Sequence, residues 1–166
     1  MGLDIGLDIA FWVLAAVCVS AALTVVLLKN VFRAALTLVL CFLAVAGIYA
    51  TLSADFLAVI QVLIYVGGIS VLVILAVMLT REVQQGSQSN RLRIPALIVA
   101  VAFAVVIIVS VLNTTWMISG TPPLTPTTSA LADKLLGDGG YILALEIAGT
   151  LLLAAILGAI VLVREK

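Results

Sequence analysis

Five long apolar stretches restrict what this chain can fold into. They cover residues 9–28, 31–52, 56–79, 94–116 and 141–163, and a helix needs roughly 20 such residues to cross a bilayer. A backbone in hydrocarbon must satisfy its hydrogen bonds internally, which favours helices for stretches of this kind. The sequence therefore predicts an all-α integral membrane protein in which residues 1–166 form a single domain with five transmembrane helices.

The composition supports a membrane environment and excludes several classes of function. The chain is 65% hydrophobic and 10% charged, whereas a soluble domain is about 45–50% apolar and about 25% charged. Membrane lipid or other membrane subunits must therefore cover its surface. The net charge is zero and no basic tract is present, so we expect no nucleic-acid partner.

The residues that usually bind metals or haem are scarce. The chain has no histidine, and Cys18 and Cys41 do not form a CxxC pair. We therefore expect no metal site and no cofactor bound by this chain, and we interpret both cysteines as small apolar side chains.

The distribution of basic residues predicts the orientation. If the N-terminus faces outward, the loop 80–93 is cytoplasmic and the loop 117–140 is on the outer side. The outer side then holds one basic residue, Lys134, and the cytoplasmic side holds seven: Lys29, Arg33, Arg81, Arg91, Arg93, Arg164 and Lys166. Because basic residues concentrate on the cytoplasmic side, the sequence predicts an N-out, C-in topology.

The third apolar stretch contains the most polar groups. With the period of an α-helix, Gln61, Tyr65, Gly68 and Leu72 share one helix face. The adjacent Gly67 and Gly68 lower local helix stability and permit close helix contact or a π-bulge. Two interpretations remain open: the polar groups hydrogen-bond to a neighbouring helix, or they form a functional site. We expect no catalytic residue among them.

Glu146 is the carboxylate that lies well inside an apolar stretch. It is about five residues, or roughly 7–8 Å, from the outer end of the fifth stretch. Its head group either reaches the interface or acts as a protonatable group in a polar path, and the sequence does not separate these two interpretations.

Three motifs resemble chain 6, also called subunit J, of respiratory complex I (NADH:quinone oxidoreductase). Residues 54–72 contain a polar residue followed by Tyr-Val-Gly-Gly-Ile and Val-Leu, which is similar to the family signature. Residues 145–162 resemble its closing pattern, and residues 30–35 resemble its first turn. The chain departs from the family at Val31 and Leu145, where proline and phenylalanine are frequent. It also has Gln61 where some relatives have glutamate, so this position cannot titrate.

The resemblance implies a membrane-arm subunit of a proton-pumping NAD(P)H or ferredoxin:quinone oxidoreductase. Such a subunit is non-catalytic, and FMN and iron–sulfur clusters are held by other subunits of the complex. Its partners would be the A, H, K and N types of membrane subunit, in a hetero-oligomer. The location would be an energy-transducing membrane, either a bacterial plasma membrane or a thylakoid.

The resemblance also implies a mechanism for the third helix. In the family this helix has a π-bulge near the tyrosine matched by Tyr65. A change between α and π forms over the bistable stretch 65–70 would make or break a water-filled path. Gln61, Tyr65, Gly67, Gly68 and Glu146 are accordingly the candidates for a proton path or conformational switch.

Three alternatives remain. The chain could belong to a related ferredoxin- or F420-dependent quinone reductase, or serve as a purely structural scaffold. It could also be a small independent transporter, although no inverted repeat and no pair of broken helices supports that function.

Overall fold

The computed structural model describes residues 4–80, 93–116, 127–137 and 139–164. Those residues form six helices and no strand. The helices are α1 Asp4–Leu27, α2 Val31–Thr51, α3 Asp55–Leu79, α4 Arg93–Asn113, α5 Thr127–Leu136 and α6 Ile142–Val163.

Five of these helices, all except α5, are long and apolar enough to cross a membrane. This confirms the predicted all-α fold with five spans. The bounds differ by a few residues, mainly because α1 begins at Asp4 and α4 ends at Asn113. Most of the predicted loop 80–93, and residues 117–126 of the loop 117–140, lie outside the described residues.

Helix α2 packs against both α1 and α3. The buried hydrophobic side chains of the described residues are all alanines, one on α1 and three on α2: Ala21, Ala35, Ala44 and Ala46. Small side chains let helix backbones approach closely. Because lipid is as apolar as the helices, the hydrophobic effect does not drive their association in a membrane, and close packing does so instead. The three helices therefore meet through a seam of small residues on α2.

Short turns join these three helices. The Asn30 side-chain oxygen accepts a hydrogen bond from the backbone N–H of Arg33 at 3.1 Å and caps the start of α2. Between α2 and α3, Ser53 has a positive φ of 57°. Because the turns are short, α2 runs antiparallel to both neighbours, and its faces are fixed relative to theirs.

Helices α4 and α6 remain uncovered by the described part of the chain, since none of their membrane-spanning residues is buried. Helix α5 was predicted as part of a loop. It contacts the first turns of α3 and the start of α6. The faces of α4 and α6 are therefore available to lipid or to other membrane proteins.

Candidate functional site

The third helix changes its hydrogen-bonding pattern in the middle of the membrane. It is α-helical over Asp55–Ile60, π-helical over Gln61–Ile69, and α-helical again over Ser70–Leu79. In a π-helix each N–H bonds to the carbonyl five residues back, which widens the turn and is energetically less favourable than an α-helix. Such segments are frequent at functional sites, so this nine-residue segment is the first candidate.

The two glycines lie in this segment. A β-carbon at Gly67 would meet the carbonyl oxygen of Val62 at 3.4 Å, and one at Gly68 would meet that of Leu63 at 4.0 Å. Both distances are ordinary contacts, so the π segment has room for a small side chain at either position. The glycine pair therefore matters through its conformational freedom and not through a lack of space.

Ser70 stabilises the end of the π segment. Its hydroxyl donates a hydrogen bond to the carbonyl oxygen of Tyr65 at 2.7 Å, and its backbone N–H donates to the same oxygen. Its side chain is 2% exposed, less than that of any other buried residue described. The Tyr65 carbonyl oxygen thus accepts hydrogen bonds from two donors of Ser70, five residues further along the chain, and this pairing favours the π form locally.

Gln61 and Ser70 lie on the same side of α3 because of the wider turn. An α-helix advances about 100° per residue, so two positions nine residues apart would lie on opposite faces. A π-helix takes roughly 4.4 residues per turn, which returns the ninth residue almost to the starting face. Both side chains are indeed buried, Gln61 to 8% exposure and Ser70 to 2%.

The predicted single stripe of Gln61, Tyr65, Gly68 and Leu72 is therefore wrong. It assumed the α-helical period throughout, whereas Gln61–Ile69 follow the wider π turn and so shift Leu72, which comes after them, relative to Gln61. Their exposure differs accordingly: Gln61 is buried, while Tyr65 is 42% and Leu72 66% exposed.

Phe42 on α2 contacts both polar residues of the π segment. Its carbonyl oxygen lies 3.5 Å from the side-chain nitrogen of Gln61, a long hydrogen bond. Its ring packs edge-to-face against the ring of Tyr65, with centroids 5.5 Å apart. The structure thus brings Gln61, Tyr65 and Ser70 together with Phe42, and we call these four residues the π-segment cluster.

Sequence reasoning missed Phe42, and it included Ser70 only as the end of the switching stretch 65–70. Ser70 had a signal, because a serine in an apolar helix directly after Gly-Gly-Ile needs a hydrogen-bond partner. Phe42 had none, since an aromatic residue in an apolar stretch is ordinary and its role arises from helix packing alone.

Glu146 is separate from the π-segment cluster. It lies in the second turn of α6 and is exposed. Its backbone carbonyl accepts a hydrogen bond from the Thr150 hydroxyl at 2.9 Å. The described residues thus leave the carboxylate uncovered and do not bring it to α3.

The two cysteines meet across the contact between α1 and α2. Cys18 and Cys41 come from different helices, yet their sulfur atoms are 3.8 Å apart. Their separation of 23 residues gave no indication of this contact.

The comparisons with known proteins cover almost the whole chain. Residues 21–162 match the family described as NADH-ubiquinone/plastoquinone oxidoreductase chain 6. NAD(P)H-quinone oxidoreductase chain 6 of Leptolyngbya boryana is 40% identical over 162 residues, which cover 95% of this chain and 80% of the relative. The chain 6 protein of Synechocystis sp. is 39% identical over 160 residues, with the same coverage of both chains.

An archaeal protein is nearly as similar. The F420H2 dehydrogenase subunit J of Methanosarcina mazei is 36% identical over 161 residues, which cover 94% of this chain and 90% of the relative. Together with the five membrane-spanning helices, these matches show that the chain belongs to the NADH-ubiquinone/plastoquinone oxidoreductase chain 6 family.

Proposed function

We propose that this chain is a membrane-arm subunit of a proton-pumping quinone oxidoreductase, and that α3 helps couple quinone reduction to proton translocation. The chain itself carries no redox centre in this proposal; FMN and iron–sulfur clusters belong to other subunits. Its partners are membrane subunits of the A, H, K and N types, which would cover the exposed faces of α4 and α6. The complex lies in a bacterial plasma or thylakoid membrane, with the N-terminus outside.

The π segment is the observation that carries the proposed coupling. Its conversion to an α-helix would rotate the following residues by about 160°, because each of the nine residues advances about 18° more in an α-helix than in a π-helix. That rotation would break the bond between the Ser70 hydroxyl and the Tyr65 carbonyl and separate the Tyr65 ring from Phe42. Polar groups would move into or out of the contact with α2, which makes or breaks a path for water.

Gln61 and Tyr65 contribute hydrogen bonds and no titrating carboxylate to this path. An amide cannot carry a proton by ionising at neutral pH, but it can position water. Glu146 would act separately, as a protonatable group where a neighbouring subunit covers α6.

The test is Ser70→Ala in the assembled complex. Loss of a buried hydroxyl bond costs about 1 kcal/mol, so the ratio of π to α forms should fall about fivefold. We expect fewer protons pumped per electron at an unchanged rate of electron transfer to an artificial acceptor. Ser20→Ala is the matched control, because the Ser20 hydroxyl also bonds to a backbone carbonyl, that of Val17 at 2.9 Å, but on α1.

A scaffold function is the second candidate, and the uncovered faces of α4 and α6 favour it. If Ser70→Ala, Gly67→Leu and Gly68→Leu all leave the ratio of protons to electrons unchanged in an intact complex, the coupling role is refuted and the scaffold function remains. The electron donor is decided by the soluble subunits that co-purify, since the relatives are named for both NAD(P)H and F420H2.

A further inference from the structure

Cys18 on α1 and Cys41 on α2 are the two cysteines of the chain, and they face each other across the helix contact. Their sulfur atoms are 3.8 Å apart, and the Cys41 sulfur is also 3.7 Å from the carbonyl oxygen of Cys18. Both side chains are half-buried and neither is in a disulfide. Helix packing alone creates this pair.

We propose that Cys18 and Cys41 form a dithiol modification site, which a membrane-permeant hydroperoxide oxidises to a disulfide between α1 and α2. A disulfide requires a sulfur–sulfur distance of about 2.05 Å, so each sulfur must move by about 0.9 Å. A rotation of about 30° around each Cα–Cβ bond covers this movement. Because the two side chains already point at each other, the helices need not separate or turn.

The reaction balances with the hydroperoxide as oxidant. One thiol sulfur attacks the outer oxygen of the hydroperoxide, the O–O bond breaks, and an alcohol leaves while that cysteine becomes a sulfenic acid. The second thiol attacks the sulfenic sulfur, the S–O bond breaks, and water leaves as the S–S bond forms. The two thiols lose two electrons and two protons in total, and the hydroperoxide is reduced to alcohol and water.

The position of the pair restricts which reagents reach it. Cys41 lies at the centre of α2 and Cys18 in the second half of α1, so both are well inside membrane-spanning helices. Charged oxidants and charged thiols such as glutathione are excluded from this depth. We therefore expect neutral, membrane-soluble oxidants and reductants to act on the pair.

The test uses the complete complex in native membranes and tert-butyl hydroperoxide as the probe. After treatment the chain is denatured and its free thiols are tagged with a polymer-linked maleimide, which separates chains with two, one and no tags on a gel. We expect both tags to be lost together, and both to return after dithiothreitol treatment. The dose of tert-butyl hydroperoxide is set with a reference dithiol: it is the dose that oxidises dihydrolipoamide dissolved in the membrane of the same vesicles.

Matched variants separate a specific pair from general thiol oxidation. Cys18→Ser combined with Val19→Cys keeps two thiols but moves one to a side chain that is 60% exposed. Its oxidation should therefore stop at sulfenic acids, which dimedone traps, whereas the wild-type pair should form the disulfide and take up little dimedone. Should that variant fail to assemble, Cys41→Ser provides the same control with one thiol, which should react with dimedone during oxidation.

Three results would overturn the proposal. The wild-type chain could keep both tags at the full dose, or it could take up as much dimedone as the displaced-thiol variant. The tags could also fail to return after reduction, which would indicate overoxidation of single thiols. None of these outcomes depends on the coupling role of α3.

Discussion

Gly47 is where a side chain would most disturb the contact between α1 and α2. A β-carbon at Gly47 would lie 2.9 and 3.1 Å from the two terminal methyl carbons of Leu14, inside the roughly 3.5–4.0 Å of favourable carbon contact. Gly47→Ala therefore requires Leu14 to move by several tenths of an ångström. Relative to the same substitution at Gly149, we expect alanine to cost at most about 1 kcal/mol, because the methyl carbons of Leu14 end a flexible side chain. Leucine should cost about 3 kcal/mol, because a rotation of Leu14 does not make room for it.

The assay is unfolding of the chain in mixed micelles by increasing fractions of sodium dodecyl sulfate, in a double-mutant cycle with Leu14→Ala. Shortening Leu14 removes the atoms that clash, so Gly47→Ala should cost at least 0.5 kcal/mol less in that background. Gly149→Ala is the matched control, because a β-carbon at Gly149 meets nothing within 4 Å. It should leave stability unchanged or raise it slightly through helix propensity.

The close approach of α1 and α2 would be refuted by one pattern of results. If Gly47→Leu is as stable as Gly149→Leu, and if Leu14→Ala does not alter the cost of Gly47→Ala, no side chain of α1 lies against Gly47.

Three further substitutions test other parts of the fold. Ser53→Gly should raise the free energy of unfolding by up to about 1 kcal/mol, because Ser53 has a φ of 57° that glycine adopts without strain; Ser53→Ala should not. Asn30→Ala should lower the free energy of unfolding by about 1 kcal/mol, because the Arg33 backbone N–H loses its side-chain acceptor at the start of α2. Asn30→Asp should retain most of the stability, because aspartate also offers an acceptor oxygen. Phe42→Leu should remove the edge-to-face contact with Tyr65, at a cost of about 1 kcal/mol, and should shift the Tyr65 absorption band, while Phe103→Leu on the exposed face of α4 should not.

The sequence predicted the helices well because membrane insertion depends on local properties. Each span is recognised from its own length and apolarity, and the five observed spans follow the five apolar stretches within a few residues. The short helix α5 was missed, because only ten residues form it, and amphipathic segments of that length resemble loops in composition.

The candidate site was predicted only in part. The sequence singled out Gln61, Tyr65 and the glycine pair, but it placed them on one face by assuming an α-helical period. The π segment changed that geometry and brought Ser70 to the side of Gln61. The switch of this segment between two forms is a prediction for the Ser70→Ala experiment, and the contact of Glu146 with a partner subunit is a prediction as well.

By itself, the sequence determined that the chain lies in a membrane, how many times it can cross, and to which family it belongs. These properties follow from composition and motifs that are read along the chain. Only the tertiary structure decided which side chains meet: Cys18 with Cys41, Gly47 with Leu14, and Phe42 with the π segment. The reason is physical, since in a membrane-spanning helix both the face that packs and the face that meets lipid are largely apolar, and the hydrophobic pattern therefore does not distinguish them.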